Sequence, residues 1–465
     1  MSRQIRRKQF GFRTKGIVMA GRHRAVVAVL TAAFVLALAA VPALGLSGTT
    51  TRVSVDSAGN QATARDGHSG NVGIDGDGRL IVFDSWEPAF VPGDGDDLAD
   101  VFVHDLEAGA TSLVSRSSSG RKGNSDSRNA ALSADGRYVT FTSNATNLVR
   151  RDRNGDGDVF VRDLQTGETT RVSLSTAGQE ADGDSFNTSP SISGDGRVVV
   201  FQSFADNLVG GDTNRAPDVF AHDRATGVTT RVSVDSAGTQ SNRGSGLAVV
   251  SADGRHVAFL SDASNLVAND TNGERDVFVH DLLTGATTRI NVDSAGNQAV
   301  GNPRVSFVEP AISGDGRFVA FGSLAANLVP GDTNGRFDIF VHDRQTGTTS
   351  RVSVDSAGTQ GNERSTNPTI SADGRFVAFQ AWASNLVAYD TNDVVDVFVH
   401  DRQTGLTTRE SVDSTGVQGD EQSVGGYIAP NGGRVAFESF ATNLVAGDTN
   451  DLKDVFVHEL SPPSP

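Results

Sequence analysis

Acidic and amide side chains at short, fixed spacing are the residues of this chain best suited to chemistry. The segment Asp152-Arg153-Asn154-Gly155-Asp156-Gly157-Asp158 places three carboxylates and one amide oxygen within seven residues. Oxygen ligands at the first, third, fifth and seventh places of a loop are how a short segment wraps Ca²⁺. The bidentate Glu of such loops is absent, and Asp163 stands at the twelfth place. Two readings follow. Asp152, Asn154, Asp156 and Asp158 bind Ca²⁺ of modest affinity, or they form Asx turns that satisfy the loop's own N–H groups. The spacing D-x-[ND]-x-x-x-D recurs at Asp94/Asp96/Asp100, Asp212/Asn214/Asp218, Asp270/Asn272/Asp276, Asp332/Asn334/Asp338, Asp390/Asn392/Asp396 and Asp448/Asn450/Asp454. Only the copy starting at Asp152 fills all four side-chain places with Asp or Asn.

Histidines recur too, at His104, His222, His280, His342, His400 and His458, with Arg162 in the remaining copy. Copies spread around a repeat structure lie too far apart to share one ion. They are read as strand residues bonded to the neighbouring unit. Aromatics occupy one place in four copies only, Trp86, Phe204, Trp382 and Phe440, against Asn144, Asp262 and Leu324 elsewhere. They either stack on sugar rings or pack beneath loops.

These groups are positioned by a repeat. The turn glycines Gly78, Gly136, Gly196, Gly254, Gly316, Gly374 and Gly433 lie 58 to 62 residues apart, and the D-[VI]-F segments keep the same period. A fixed period means stacked supersecondary units that cannot bury their faces alone. In the copy from Ser191 to Val234, four short β signals fall near Ser189–Ile192, Arg197–Gln202, Asp218–His222 and Thr229–Val234. The unbroken run Val198-Val199-Val200-Phe201 predicts a strand covered on both faces. The expected fold is all-β, a seven-bladed β-propeller of four-stranded blades. The chain begins with a fourth strand, Thr50 to Val55, and ends on a third, Asp454 to Glu459. The N-terminal strand is therefore expected to complete the last blade and close the ring. The longer loops then share one end of the ring and the tight turns the other, and binding is expected at the loop end.

Residues 1–45 carry eight Lys or Arg and no acidic residue, with an apolar run from Ala25 to Val41. That is the layout of a secretory signal peptide. The expected domains are a signal peptide over 1–45, the propeller over 46–460 and a tail over 461–465. The net charge of −16 disfavours nucleic acid and anionic membrane as partners. With no cysteine, disulfides do not stabilise the fold. No membrane span is expected after cleavage, and the protein is read as a monomer.

The sequence S-[AG]-D-G-R, followed by an apolar strand and D-V-F-V-H-D, resembles the TolB-type, WD-like propeller repeats of bacterial envelopes over residues 50 to 460. Family repeats usually have proline before the Asp of the turn, where this chain has Ala134, Gly194, Ala252, Gly314 and Ala372. The resemblance implies extracytoplasmic binding or scaffolding. The additional N-terminal domain of TolB has no counterpart in the repeats, so its own role is not carried over. The chain lacks G-x-S-x-G, and its S-x-D-G-R turn is similar to the Asp-box of sialidases without the Trp. The expectation is a secreted or envelope propeller, not an enzyme, that binds a protein or glycan at the cell surface and is stabilised by Ca²⁺. A propeller glycosidase or polysaccharide lyase is the rival, and a purely structural envelope protein a third reading.

Overall fold

A computed structural model describes residues 48–63, 68–185, 189–300 and 309–460. The expected signal peptide and tail lie outside them. The described strands number 28 and form seven four-stranded antiparallel sheets. Each sheet is one blade. Blade 3, for example, runs Ser191–Ile192, Val198–Ser203, Asp218–Asp223 and Val228–Arg231 in that spatial order. Blades are numbered 1 to 7 here, with blade 1 starting at Ser69. No helix among the described residues is long and apolar enough to cross a membrane.

The second and third strands carry a Phe each, in register across the pair, as Phe201 opposite Phe220. Their rings lie 6.0 Å apart in blade 3 and 5.7 Å apart in blade 2, as Phe141 and Phe160. Between blades 2 and 3, Val159, Val161 and Val172 meet Val199, Phe201 and Phe220. Each fully buried Phe or Val stabilises by about 1.5–3 kcal/mol. The same packing joins Val455 and Val457 of blade 7 to Ile81, Phe83 and Phe102 of blade 1. Closure is as expected: Thr50, Thr51 and Arg52 pair antiparallel with His458, Val457 and Phe456.

A second ring runs through the tight turns. Gly76 N donates to Ala134 O, Asp135 N to Gly194 O, Gly194 N to Ala252 O and Asp253 N to Gly314 O. Gly314 N then donates to Ala372 O, Ala372 N to Pro430 O and Asn431 N back to Gly76 O. Proline has no N–H to give. The Gly and Ala residues before the turn Asp therefore supply donors that proline would remove, at Gly194, Gly314 and Ala372. The turn glycines Gly136 and Gly196 have φ of 68° and 71°. In the last copy Gly432, not Gly433, takes that conformation, with φ of 74°. The turn there has the same length as in blade 6, since Ile428 pairs with Val435 as Ile370 pairs with Val377, and Gly433 stands in the place of Arg375.

The closing seam has one exceptional contact. Where other blades place Val53, Val114, Val172, Val232, Ile290 and Val352, blade 6 has Glu410, which is 4% exposed. Its Oε2 lies 3.6 Å from His458 Nε2, and His458 Nδ1 lies 2.7 Å from Thr50 Oγ1. Burial lifts the Glu410 carboxyl to about 7 and pushes the His458 imidazole down to about 4. Between those values both groups are neutral.

Two predictions follow from this packing. A Cβ at Gly196 would stand 2.1 Å from the Tyr138 ring. Gly196→Val should therefore cost more than the roughly 1–3 kcal/mol of backbone strain alone, read as a lowered denaturation midpoint. Glu410 holds its proton in the folded protein at pH values where the unfolded chain has released it. Its contribution is complete below the ordinary carboxyl range and is lost as pH rises through about 7. Glu410→Val should raise the melting temperature, with a larger gain at pH 8 than at pH 5.

Candidate functional site

The acidic loops sit at the loop-bearing end, between the second and third strands of each blade. The last Asp of every copy, Asp100, Asp158, Asp218, Asp276, Asp338, Asp396 and Asp454, is fully buried at the start of a third strand. In blade 2, Asp158 accepts from Ser173 Oγ at 2.6 Å and from Arg171 Nη1 at 2.7 Å. Arg171 Nη1 also lies 3.5 Å from Asp152, and its Nη2 lies 2.5 Å from Glu180. Asn154 turns its amide nitrogen inward, donating to Ala181 O at 3.1 Å. Asp156 N donates to Asn154 Oδ1 at 3.4 Å, an Asx turn. The place expected for Ca²⁺ among Asp152, Asn154, Asp156 and Asp158 is thus filled by the guanidinium of Arg171, and these residues do not fit an ion as well.

The arrangement repeats. Arg52, Arg231, Arg289, Arg351 and Arg409 pair with the first and last Asp of their loops, as Arg231 with Asp212 at 3.0 Å and Asp218 at 3.5 Å. Blade 1 has Leu113 where the arginine should be. Lys122 takes its place, with Nζ 2.5 Å from Asp96, 2.9 Å from Asp100 and in contact with Asp94. Asp94, Asp96 and Asp100 each offer an oxygen within 4.8 Å of the others, a carboxylate cluster of the kind that can hold a metal ion, and here Lys122 is its cation. Burial raises Asp100 to about 6, against the lowering effect of Ser115 and Lys122.

The recurring histidines bond within their own blade, and only His458 also has a charged group of another blade beside it among the described residues, Glu410 at 3.6 Å. His222 Nδ1 lies 2.9 Å from Thr229 Oγ1 of its own blade. The threonine makes the contact across: Thr287 Oγ1 donates to Val234 O at 2.6 Å. Arg162 replaces the imidazole in blade 2, with Nη1 donating to Thr169 Oγ1 at 2.9 Å.

The four aromatics all stand just past the second strand. Phe204 is 49% exposed. The other three are half-buried and fall on successive blades, 6, 7 and 1. Arg364 lies 3.7 Å from the Trp382 ring centre, and Arg128 lies 4.5 Å from that of Trp86. His68 meets Phe440 edge-on at 5.9 Å.

Sequence reasoning missed the groups lying inward of these aromatics. Asp84 and Glu438 share the next-to-last place of the second strand, held in other blades by Thr142, Gln202, Leu260, Gly322 and Gln380. That variable place within a constant strand was the available signal. Asp84 accepts from Asn71 Nδ2 at 2.7 Å and from Asn129 N at 3.2 Å. Glu438 accepts from Asn71 N at 3.0 Å and pairs with Lys453 Nζ at 2.5 Å. Gly70 leaves room for this: a Cβ there would stand 2.8 Å from Lys453 Nζ. Asn71 and Asn129 sit at strand bulges with φ of 49° and 56°, so each bulge N–H is satisfied from the preceding blade. Burial lifts Asp84 to about 7, and Glu438 adds to the rise.

Fold and site together define a closed seven-bladed β-propeller with a polar sector at blades 6, 7 and 1. No family model and no curated protein matches the chain. Solved structures do. An oligogalacturonate lyase from Vibrio parahaemolyticus is 13% identical, with 90% of this chain and 99% of that one covered and a TM-score of 0.53. An oligogalacturonate lyase in complex with manganese is 14% identical, with 89% and 93% covered and a TM-score of 0.51. TolB from Acinetobacter baumannii is 17% identical, with 61% and 53% covered and a TM-score of 0.37. This chain thus spans about half of that TolB chain. The seven-bladed ring agrees with the TolB-like expectation. The expectation that the chain is not an enzyme is corrected. The same fold, matched over nearly whole chains, is that of lyases, so the lack of G-x-S-x-G excludes no catalysis.

The acidic cluster yields a prediction. Lys122→Ala leaves three carboxylates without their cation, and breaking a buried pair this way costs about 3–5 kcal/mol. Millimolar Ca²⁺ or Mn²⁺ should recover part of that loss in the variant and leave the melting temperature of the intact protein unchanged.

Proposed function

We propose that this propeller binds a saccharide chain outside the cytoplasm, at the loop-bearing end of blades 6, 7 and 1. The observation that carries the reading is the row of half-buried aromatics, Trp382, Phe440 and Trp86, each flanked by a cationic or imidazole side chain. An aromatic face beside guanidinium donors offers a sugar ring both an apolar platform and hydrogen bonds. The first and last carboxylates of these loops are already paired with Arg or Lys, which lessens their opposition to an acidic sugar there. The likeness to oligogalacturonate lyases makes uronate-containing chains the first class to try, and the basic and then apolar layout of residues 1–45 makes an extracytoplasmic location the fitting one.

A second reading, turnover of the bound chain, is favoured by the likeness in fold to oligogalacturonate lyases; Asp84, only 1% exposed, is not placed to touch that chain.

Calorimetry against oligogalacturonate and a neutral glucan tests the first reading. Trp382→Ala and Trp86→Ala should each weaken binding by about five- to tenfold. Absence of binding across a polysaccharide panel, or unchanged affinity in both variants, overturns it. Growth of ultraviolet absorbance from an unsaturated product supports the second reading, and its absence across a polysaccharide panel overturns it.

A further inference from the structure

The repeats supply their own reference for what stability requires, and the flank between blades 1 and 2 departs from it. At the place held by Val55, Leu174, Val234, Val292, Val354 and Val412, this junction has Arg116. At the place held by six histidines it has Arg162. Both line a cavity of about 610 Å³ together with Arg79 and Arg137. The same cavity exists between blades 3 and 4, about 520 Å³, lined there by Val198, Val228, Leu282 and Leu283 among others. A hollow common to the fold has thus gained two guanidinium groups at one junction.

Those two groups lack charge partners. Arg79 pairs with Asp105 at 3.6 Å, and Arg137 with Asp163 at 2.7 Å. Arg162 Nη1 donates only to neutral oxygens, Arg116 O, Ser117 O and Thr169 Oγ1, at 3.1, 3.2 and 2.9 Å. Among the described residues no carboxylate pairs with Arg116 or Arg162, and the buried Arg116 Nε has no hydrogen-bond partner. The other carboxylate in the cavity, Asp135, accepts from Arg137 N at 3.0 Å and from Ser133 Oγ. Burial and the nearby Arg116 both lower the Arg162 pKa, the mark of two like charges held together. On the same blade Arg150, Arg151 and Arg153 line a second cavity of about 560 Å³. This concentration of arginine stands in a chain whose net charge is −16.

We propose that the cavity between blades 1 and 2 is an anion-binding site, in which Arg116 and Arg162 hold an oxyanion of a small ligand, a phosphate group or a uronate carboxylate. Guanidinium groups match such oxygens in geometry and charge. The site lies on the blade 1–2 flank and is independent of the saccharide reading for the loop end.

Titration calorimetry at low salt with inorganic phosphate, galacturonate and glucose tests it. The intact protein should bind phosphate, galacturonate or both with Kd in about the millimolar range or tighter, and glucose not at all. Which anion binds distinguishes the two sources. Arg116→Val with Arg162→His restores residues the other blades carry, so the ring should stay folded, checked by its melting curve. It should weaken anion binding by at least about tenfold. Should the pair fold poorly, Arg116→Val alone carries the same test. No heat with either anion up to about 10 mM, or equal affinity in the folded variant, overturns the site.

Discussion

A buried carboxylate in every blade is the constraint on which the loop end of this molecule depends. Asp158 and its six counterparts have no exposure to solvent. An ionised carboxylate out of water requires a cation and further donors. Each Asp obtains both locally. A hydroxyl or amide comes from the residue two places past the fourth strand, Ser173 in blade 2 and Asn291 in blade 4. The cation comes from the same strand, except at Lys122. The first Asp of the loop shares that cation, which ties the loop's entry to its exit. Gln240 and Gln360 extend the tie to the segment leading to the next blade. One charge clamp thus fixes two loops and two strands per blade.

The clamp explains why acidic spacing alone misleads in this chain. Asp, Asn and Asp at alternate places look like an ion loop, but the matching cation lies thirteen residues beyond the last Asp. Strand pairing brings it back. Arg171 lies opposite Phe160 in the antiparallel pair, and Phe160 shares a face with Asp158 because side chains alternate along a strand. The signal was present in the repeat T-T-R, read only for its β-branched pattern. A stronger signal was the coupled change at blade 1. Leu113 for arginine and Lys122 for glutamine occur together, and the two exchanges restore one cation.

The ring itself was legible because it rests on periodicity, hydrophobic runs and turn chemistry. The period gave seven units, and the complementary ends gave the closing strand at Thr50 to Arg52. The axial sector was not legible. The inner strands shift register at a bulge, between Gly70 and Gly73 in blade 1 and between Val424 and Tyr427 in blade 7. Alternation fails across a bulge, so no pattern in the sequence shows that Asp84 and Glu438 serve bulge N–H groups of the next blade. The direct bond across blades expected of the histidines failed for a related reason. The imidazole bonds to its own fourth strand, and the threonine hydroxyl there makes the step across, with His458 beside Glu410 as the exception.

Seven copies under one packing constraint separate stability from other demands. Where a copy departs and a second residue restores the lost contact, the departure is neutral to the fold, as at Leu113 and Lys122. Where a copy departs and leaves a cost standing, the fold does not account for it. Glu410 buries a carboxyl against His458 where six blades bury an aliphatic side chain. Arg116 and Arg162 bring two like charges together where other blades place an aliphatic side chain and a neutral imidazole. Asp84 keeps one carboxylate oxygen buried and unbonded at a place where Leu260 or Gly322 serves as well. These departures cluster on blades 6, 7, 1 and 2. Blades 3 to 5 hold closest to the common pattern and act chiefly as the frame. A ring in which every blade carries the same clamp tolerates local cost well, because each blade is braced by two neighbours. That surplus of bracing is what lets one sector carry unpaired charge and remain folded.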